Sequence, residues 1–262
     1  MTAHPRLSVS QMCTYAWPFA ETLALWDELG VRHAGLILEM VDEPGRAAVK
    51  QHSMTATTAL TRNFDLAAPE TWDVTRALLN QATDLAARLG GCPYFTPGPS
   101  DGRPIGELTA ALAQAAAPCV AYAESRGVRL AIEATGRADR SFVHTLRDGI
   151  EVAEQVGIGI VADLGICWME PDFEDTVRRA GSRIAVVQIS DAVPGKSDHS
   201  DRVVPGDGDL DISAFIEATL EAGYTGAFEL ELVGPAIEAE GPAHAVRRAV
   251  EHVSALLERI LP

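Results

Sequence analysis

The sequence lacks several features that mark particular classes of protein. Its four cysteines, Cys13, Cys92, Cys119 and Cys167, form no CxxC pair, which argues for reduced thiols and against a zinc knuckle or disulfide framework. No apolar run approaches the roughly 20 residues needed to span a bilayer. The first residues also lack the basic and apolar segments of a signal peptide. We therefore expect a cytoplasmic protein.

Basic residues are also scarce. The chain has 21 Lys and Arg against 37 Asp and Glu, which gives a formal net charge of −16. Surfaces that bind nucleic acids are usually basic, and anionic lipids attract clusters of Lys and Arg. The composition therefore predicts neither a nucleic-acid partner nor a membrane partner. The charge itself indicates solubility and repulsion between copies.

What the 262 residues do contain is a regular alternation of short apolar runs and helical patterns. The predicted strands cover residues 6–11, 33–39, 53–57, 92–96, 128–133, 159–163, 184–190 and 226–232. The predicted helices cover residues 19–29, 43–51, 70–89, 105–125, 141–156, 172–180, 212–222 and 242–261. Strict alternation predicts a parallel sheet, and eight units in about 250 residues predict a closed (β/α)8 TIM barrel in a single domain, residues 1–262. The alternative, an open doubly wound sheet, is weakened by the lack of a GxGxxG motif after the first strand.

Four of the predicted strands end near a side chain that carries an oxygen ligand. Glu133, Asp163, Gln188 and Glu231 lie at or near the carboxyl ends of strands five to eight. These ends open onto the active site in barrels of this kind, and neighbouring strands bring their side chains together. Three carboxylates and an amide oxygen suit a hard divalent cation, with Mn²⁺ favoured and Mg²⁺, Co²⁺ and Zn²⁺ as alternatives. Zinc would ordinarily prefer histidine or thiolate.

Each position also has a purely structural interpretation. Glu133 could cap a following helix, Asp163 could cap the next loop, and Gln188 could bond only to backbone. Glu229 competes with Glu231, because alternation along a strand places both on the same face. Glu231 is nearer the carboxyl end, and it is therefore the predicted ligand.

Five segments resemble a known family. They are GVRLAIEATG (127–136), GIVADLG (159–165), VVQISDA (186–192), DRVVPGDGDLD (201–211) and GYTGAFELEL (223–232). They resemble the xylose isomerase-like barrel superfamily, in the sugar phosphate isomerase and epimerase group. Relatives there include ketohexose 3-epimerases, inosose dehydratases and 3-dehydroshikimate dehydratases. The resemblance implies metal ligands at Glu133, Asp163, Gln188 and Glu231. In metal-dependent epimerases of this type the two ligand glutamates carry the proton, which implies catalytic roles for Glu133 and Glu231.

The chain departs from the epimerase pattern in three places. Gln188 stands where epimerases have His, although some dehydratases also have Gln there. Ile166 replaces a His three residues after the strand-six ligand, and Ala138 replaces a Glu. The Arg of the strand-seven loop is matched by Arg202. The two replaced histidines favour a dehydratase over a ketohexose 3-epimerase.

Other side chains could supply acid–base or binding groups. His199, in the loop SDHSDR, is a candidate catalytic residue. Arg202 could bind a substrate oxyanion or carboxylate, or form a loop salt bridge with Asp198 or Asp207. Trp168 could wall the pocket or simply pack. His144, at the start of the fifth predicted helix, could bind substrate or lie on the surface.

The sequence therefore predicts a metal-dependent sugar isomerase or epimerase that moves a proton through an enediolate. Its substrate would be a small carbohydrate-like molecule: a keto-sugar, a polyol or a related hydroxy-ketone. One alternative is a metal-dependent lyase or dehydratase acting by β-elimination on a similar hydroxy-ketone or keto-glycoside. A second alternative is a non-catalytic metal-binding barrel. Barrels of this class commonly pair, so a homo-oligomer is an expectation by analogy.

Overall fold

Eight short parallel strands pair in chain order and close into a barrel in the computed structural model, which describes residues 2–198 and 200–261. β8 pairs with β1 and completes the ring. The strands are β1 Leu7–Ser10, β2 His33–Ile37, β3 Thr55–Leu60, β4 Cys92–Phe95, β5 Ala131–Ile132, β6 Gly159–Asp163, β7 Ile184–Ile189 and β8 Phe228–Leu230. This ring confirms the predicted TIM barrel. The strands read as continuous apolar runs because the helices cover the outside of the barrel while the inside is packed.

Helices follow every strand. They are α1 Phe19–Glu28, α2 Glu43–Gln51, α3 Trp72–Leu89, α4 Ile105–Ser125, α5 Leu146–Val156, α6 Leu164–Cys167, α7 Phe173–Ala180, α8 Ile212–Glu221, α9 Pro235–Glu240 and α10 Pro242–Ile260. The apolar stripe of α10 is buried at Val246, Val250, Val253 and Leu257, as its helical spacing requires. Among the described residues, no helix is both long and apolar enough to cross a membrane.

Several predicted boundaries differ from the structure, and three of the differences have a clear local cause. β3 begins at Thr55 rather than at residue 53, because the amides of Ser53 and Met54 still bond to α2 carbonyls. The ladder of β5 is confined to Ala131–Ile132 instead of 128–133, and the Val128 amide bonds back to α4. α5 begins at Leu146 instead of residue 141, because the Thr145 hydroxyl caps its first turn. The short helices α6 and α9 were not predicted.

Candidate metal centre

The carboxyl ends of β5, β6 and β8 bring three of the predicted ligands together. Glu133 follows β5, Asp163 ends β6, and Glu231 follows β8. One oxygen from each of the three carboxylates lies within 4.8 Å of the others. All three side chains are buried, with exposed fractions of 8%, 2% and 7%. A divalent cation could therefore be held between them.

Gln188, the fourth predicted ligand, lies in β7 and contacts this group. Its side chain is fully buried. Its Nε2 donates to Glu231 Oε2 at 2.7 Å and lies 3.1 Å from Glu229 Oε1 and 3.3 Å from the Tyr94 hydroxyl. The amide is thus anchored through its nitrogen, and its oxygen is left for another partner.

Two buried oxygens at this centre have no hydrogen-bond partner within the part of the chain that the structure describes. They are Glu133 Oε1 and Gln188 Oε1. A buried polar atom without a partner costs about 1–3 kcal/mol, and a bound cation would remove that cost. The donor set of three carboxylates and one amide oxygen matches the oxygen ligands that Mn²⁺ and Mg²⁺ take. The residues present therefore fit a hard divalent cation.

Crowding of buried acids perturbs their protonation. Burial, followed by the charges of Glu231 and Asp163, raises the pKa of Glu133 well above its ordinary value. Burial also raises the pKa of Glu231 to about 7, although the Arg202 guanidinium opposes the shift. Such shifts mean that the metal-free site disfavours its own negative charge. A divalent cation would favour the ionised form of these groups.

Arg202 supplies a buried positive charge beside the carboxylates. Its Nη2 donates to Asp163 Oδ2 at 2.6 Å, and its Nη1 donates to the Glu231 carbonyl at 2.9 Å. Burial lowers the pKa of the guanidinium, but the negative charges of Asp163, Glu231 and Glu133 raise it by more, so that it lies above its ordinary value. Gly165 makes room for it, because a Cβ there would lie 2.8 Å from the guanidinium carbon. The suggested salt bridge to Asp207 is wrong, since Asp207 bonds to Arg248 instead.

A cavity of about 680 Å³ opens over the centre, and Glu133, Glu231 and Arg202 line it. Ile166 also lines the cavity, so an apolar side chain lies at the position where the epimerase pattern has a histidine. Polar and charged groups form much of the remaining wall, among them Glu39, Arg62, Asn63, Thr135, Arg137, Arg140 and Glu238. A cavity of this size and polarity suits a small hydroxylated ligand.

Another cavity, of about 760 Å³, lies beside α1 and α2. Its wall is formed largely by apolar side chains, including Phe19, Leu23, Leu38 and Leu78. None of the converging carboxylates borders it. Of these two cavities, only the smaller one is lined by carboxylates of the triad, Glu133 and Glu231.

The remaining predicted binding residues lie away from the cavity wall. Trp168 is half-buried and packs against the hydrophobic core. His144 is exposed, and its Nδ1 lies 2.9 Å from the carbonyl oxygen of Thr135, a residue that lines the cavity. Neither Trp168 nor His144 is part of that lining. His199 lies outside the described residues.

Two buried residues of the centre were missing from the predicted site. Tyr94 of β4 faces the cavity, and burial raises its pKa well above the ordinary value. Glu229 of β8 lies inside the barrel, 3.1 Å from the Gln188 amide. Alternation along the strand had placed Glu229 on the inward face, but sequence alone could not separate an interior hydrogen-bond partner from a ligand.

Comparison with known proteins agrees with this architecture. The sequence profile of the family described as xylose isomerase-like TIM barrel matches residues 21–256, and the chain belongs to that family. No protein of curated function matches the chain significantly in sequence.

Three solved structures illustrate the similarity of fold. A protein of Sinorhizobium meliloti 1021 is 24% identical, with a TM-score of 0.81 over 96% of this chain and 98% of that one. The IOLI protein, solved with a binding zinc atom, is 18% identical, with a TM-score of 0.81 over 97% and 98% of the two chains. A D-allulose 3-epimerase from Methylomonas sp. is 19% identical, with a TM-score of 0.76 over 98% and 100%.

Proposed function

We propose that this chain is a divalent-cation-dependent isomerase or epimerase of a keto-sugar, a polyol or a related hydroxy-ketone. One observation carries the proposal. Glu133, Asp163 and Glu231 place oxygens within 4.8 Å of one another, and two of them, Glu133 and Glu231, line a cavity of about 680 Å³. The D-allulose 3-epimerase and the zinc-containing IOLI protein share the fold, which supports the same reading.

The residues of the chain would divide the work as follows. Glu133, Asp163, Gln188 and Glu231 would hold the cation, with Mn²⁺ as the first choice. When bound, the cation would polarise a carbonyl oxygen and acidify the neighbouring C–H bond. Glu133 and Glu231, which both line the cavity, would take up and return the proton.

Arg202 would serve the same reaction without moving a proton. Its raised pKa keeps the guanidinium charged, and it holds the Asp163 carboxylate and the Glu231 backbone in place. It also lines the cavity, where its charge would favour an anionic oxygen on the substrate. His199 remains a proposed acid–base group in the same loop.

β-Elimination is the second candidate reaction. Ile166 favours it, because it lines the cavity in place of the imidazole that the epimerase pattern places there. A lyase or dehydratase would use the same initial proton removal. A hydroxy-ketone would then lose its hydroxyl group as water, and a keto-glycoside would lose its glycosidic alcohol. The product would then be lighter than the substrate by the mass of that water or alcohol, which mass spectrometry detects directly.

Elemental analysis of purified protein tests the cation. We expect about one equivalent of Mn²⁺ per chain in the wild type after dialysis against the metal, and loss of that equivalent in Glu133→Ala. The matched control is Glu238→Ala, because Glu238 lines the cavity but is exposed and lies outside the triad. Stoichiometric metal retained by a folded Glu133→Ala variant would show that the site is misplaced.

Deuterium exchange tests the reaction. We expect the metal-loaded protein to transfer deuterium from heavy water into a carbon beside the carbonyl of D-fructose or dihydroxyacetone, and expect EDTA to abolish the exchange. ¹H NMR of the sugar follows it. No exchange with a broad set of hydroxy-ketones, despite bound metal, would favour the non-catalytic metal-binding barrel.

A further inference from the structure

Glu229 of β8 is a buried glutamate that has no role in the proposed reaction. Its side chain is completely buried and lies inside the barrel. β7 and β8 pair Gln188 directly with Glu229. Thr58 Oγ1 donates to this carboxyl group at 3.0–3.1 Å, and Ser8 Oγ lies 3.4 Å from it. Side chains from three other strands, β1, β3 and β7, thus contact the Glu229 carboxyl group.

The barrel is shaped around this carboxyl group. Gly35 of β2 faces it, and a Cβ at that position would lie 2.5 Å from Glu229 Oε2 and 2.7 Å from Thr58 Oγ1. Any larger residue at position 35 would therefore displace the carboxyl group. The space left by Gly35 and the hydroxyl of Thr58 together define where the Glu229 oxygens lie.

That placement decides which way the Gln188 amide points. Gln188 Nε2 has two hydrogens, and its two nearest acceptors are carboxyl oxygens, Glu231 Oε2 at 2.7 Å and Glu229 Oε1 at 3.1 Å, with the Tyr94 hydroxyl farther away at 3.3 Å. If the amide were flipped, Gln188 Oε1 would face the oxygens of both carboxyl groups, and no hydrogen would lie between them once these groups are ionised, the form that a bound cation favours. The observed orientation instead leaves Oε1 buried and without a partner in the described chain.

We propose that Glu229 is a positioning residue, which fixes the Gln188 amide so that its oxygen, and not its nitrogen, is presented to the cation. Since only the oxygen of an amide can bind a hard cation, the orientation decides whether Gln188 is a ligand at all. The part of this proposal that concerns the cation rests on the proposed function. The part that concerns the orientation of the amide stands on the contacts described above.

A double-mutant cycle tests the proposal. The dissociation constant for Mn²⁺ is measured by isothermal titration calorimetry for the wild type, Glu229→Gln, Gln188→Ala and the double variant. A glutamine at position 229 can donate as well as accept, so the Gln188 amide is free to flip. We expect Glu229→Gln to weaken Mn²⁺ binding by about 10-fold or more, as removal of groups that orient metal ligands does.

The double variant separates positioning from general damage. If Glu229 acts through Gln188, the double variant binds Mn²⁺ no more weakly than Gln188→Ala alone. Two results would overturn the proposal. One is an unchanged Mn²⁺ affinity in Glu229→Gln; the other is a loss of affinity from Glu229→Gln that is as large in the Gln188→Ala background as in the wild type. Should Glu229→Gln fail to fold, Thr58→Val removes the hydroxyl that holds Glu229, and the same weakening and the same cycle with Gln188→Ala are expected.

The metal-free protein gives a readout that does not depend on the cation. The side-chain ¹⁵N–¹H₂ resonances of Gln188 report its hydrogen bonds, and we expect both to shift in Glu229→Gln while the backbone spectrum is retained. Unshifted resonances would overturn the positioning role. The two proposals can fail separately. If the wild type binds no Mn²⁺, but the Gln188 resonances still shift in Glu229→Gln, the proposed function is refuted and the role of Glu229 in orienting the amide is retained.

Discussion

At the scale of the residue, Arg202 is a buried cation that contacts two of the proposed ligands. It pairs with Asp163 at 2.6 Å and lies 3.5 Å from Glu231 Oε1, and its side chain is 4% exposed. Removing one partner of a buried ion pair leaves the other charge without compensation. The guanidinium therefore stabilises a group of acids that would otherwise repel one another.

The variant Arg202→Ala measures that contribution. We expect the free energy of unfolding of the metal-free protein, measured by urea denaturation in EDTA, to fall by about 3–5 kcal/mol. Arg178→Ala is the control, because Arg178 forms its ion pairs with Asp175 and Glu221 at the surface and should cost little. An Arg202→Ala variant as stable as the control would show that the buried pair is not needed.

The raised pKa values of the glutamates predict how stability depends on pH. Burial raises the pKa of Glu231 to about 7 and that of Glu229 to about 8. A carboxyl group with a higher pKa in the folded state binds its proton more tightly there than in the unfolded state. Its contribution to the free energy of unfolding is therefore complete below about pH 4.5, and it is lost as the pH rises through the pKa of the folded state. We expect the metal-free protein to lose about 3 kcal/mol or more between pH 5 and pH 8.5, as measured by urea denaturation.

Two comparisons check this interpretation of the pH dependence. Glu229→Gln should have a shallower pH dependence than the wild type, because one of the titrating groups is gone. Saturating Mn²⁺ should oppose the decline, since metal binding favours ionised carboxylates and releases protons. Stability of the metal-free wild type that rises from pH 5 to pH 8.5 would contradict the account.

At the scale of the element, Asp191 organises the long loop between β7 and α8. Its carboxylate accepts hydrogen bonds from the amides of Ala192, Gly206, Gly208 and Leu210 at 2.8–3.2 Å. Its carbonyl accepts another from Val203, the residue after Arg202. A single buried side chain thus folds the segment that delivers Arg202 to the metal centre.

Asp191→Asn should loosen that loop without unfolding the barrel. The amide group keeps the shape of the carboxylate but turns one acceptor into a donor facing backbone N–H groups. We expect hydrogen–deuterium exchange of residues 192–210 to become at least 10-fold faster while the strands keep their protection. Asp209→Asn, an exposed change in the same loop, is the control. Equal exchange in the two variants would contradict this role.

The elements also show how far the sequence could predict the fold. Strands β6 and β7 and helices α2 and α4 lie within a residue of their predicted bounds, because their periodicity and their Gly or Pro ends are local signals. The observed bounds of β5 and α5 differ from the predicted ones, because the ends of these elements depend on contacts with other segments. The Thr145 cap decides the start of α5, and a bridge to Gly98 holds Ser141 outside the helix.

At the scale of the whole molecule, the barrel follows from eight repeats of strand and helix, and so does the meeting of Glu133, Asp163 and Glu231. Closure of the ring was enough to bring the ends of β5, β6 and β8 together. The sequence predicted Arg202 as a site residue, but could not predict that it would pair with Asp163, nor that Glu229 would contact the Gln188 amide. Those contacts depend on a long loop and on the space above Gly165 and Gly35.

The most direct test of the central claim is anomalous diffraction from a crystal soaked in Mn²⁺. The account predicts one strong peak at the carboxyl end of the barrel, about 2.0–2.5 Å from oxygens of Glu133, Asp163 and Glu231, with the Gln188 oxygen facing it. Glu133→Ala crystals should lose the peak. A saturated crystal with no peak there, or with its peak elsewhere on the molecule, would contradict the account.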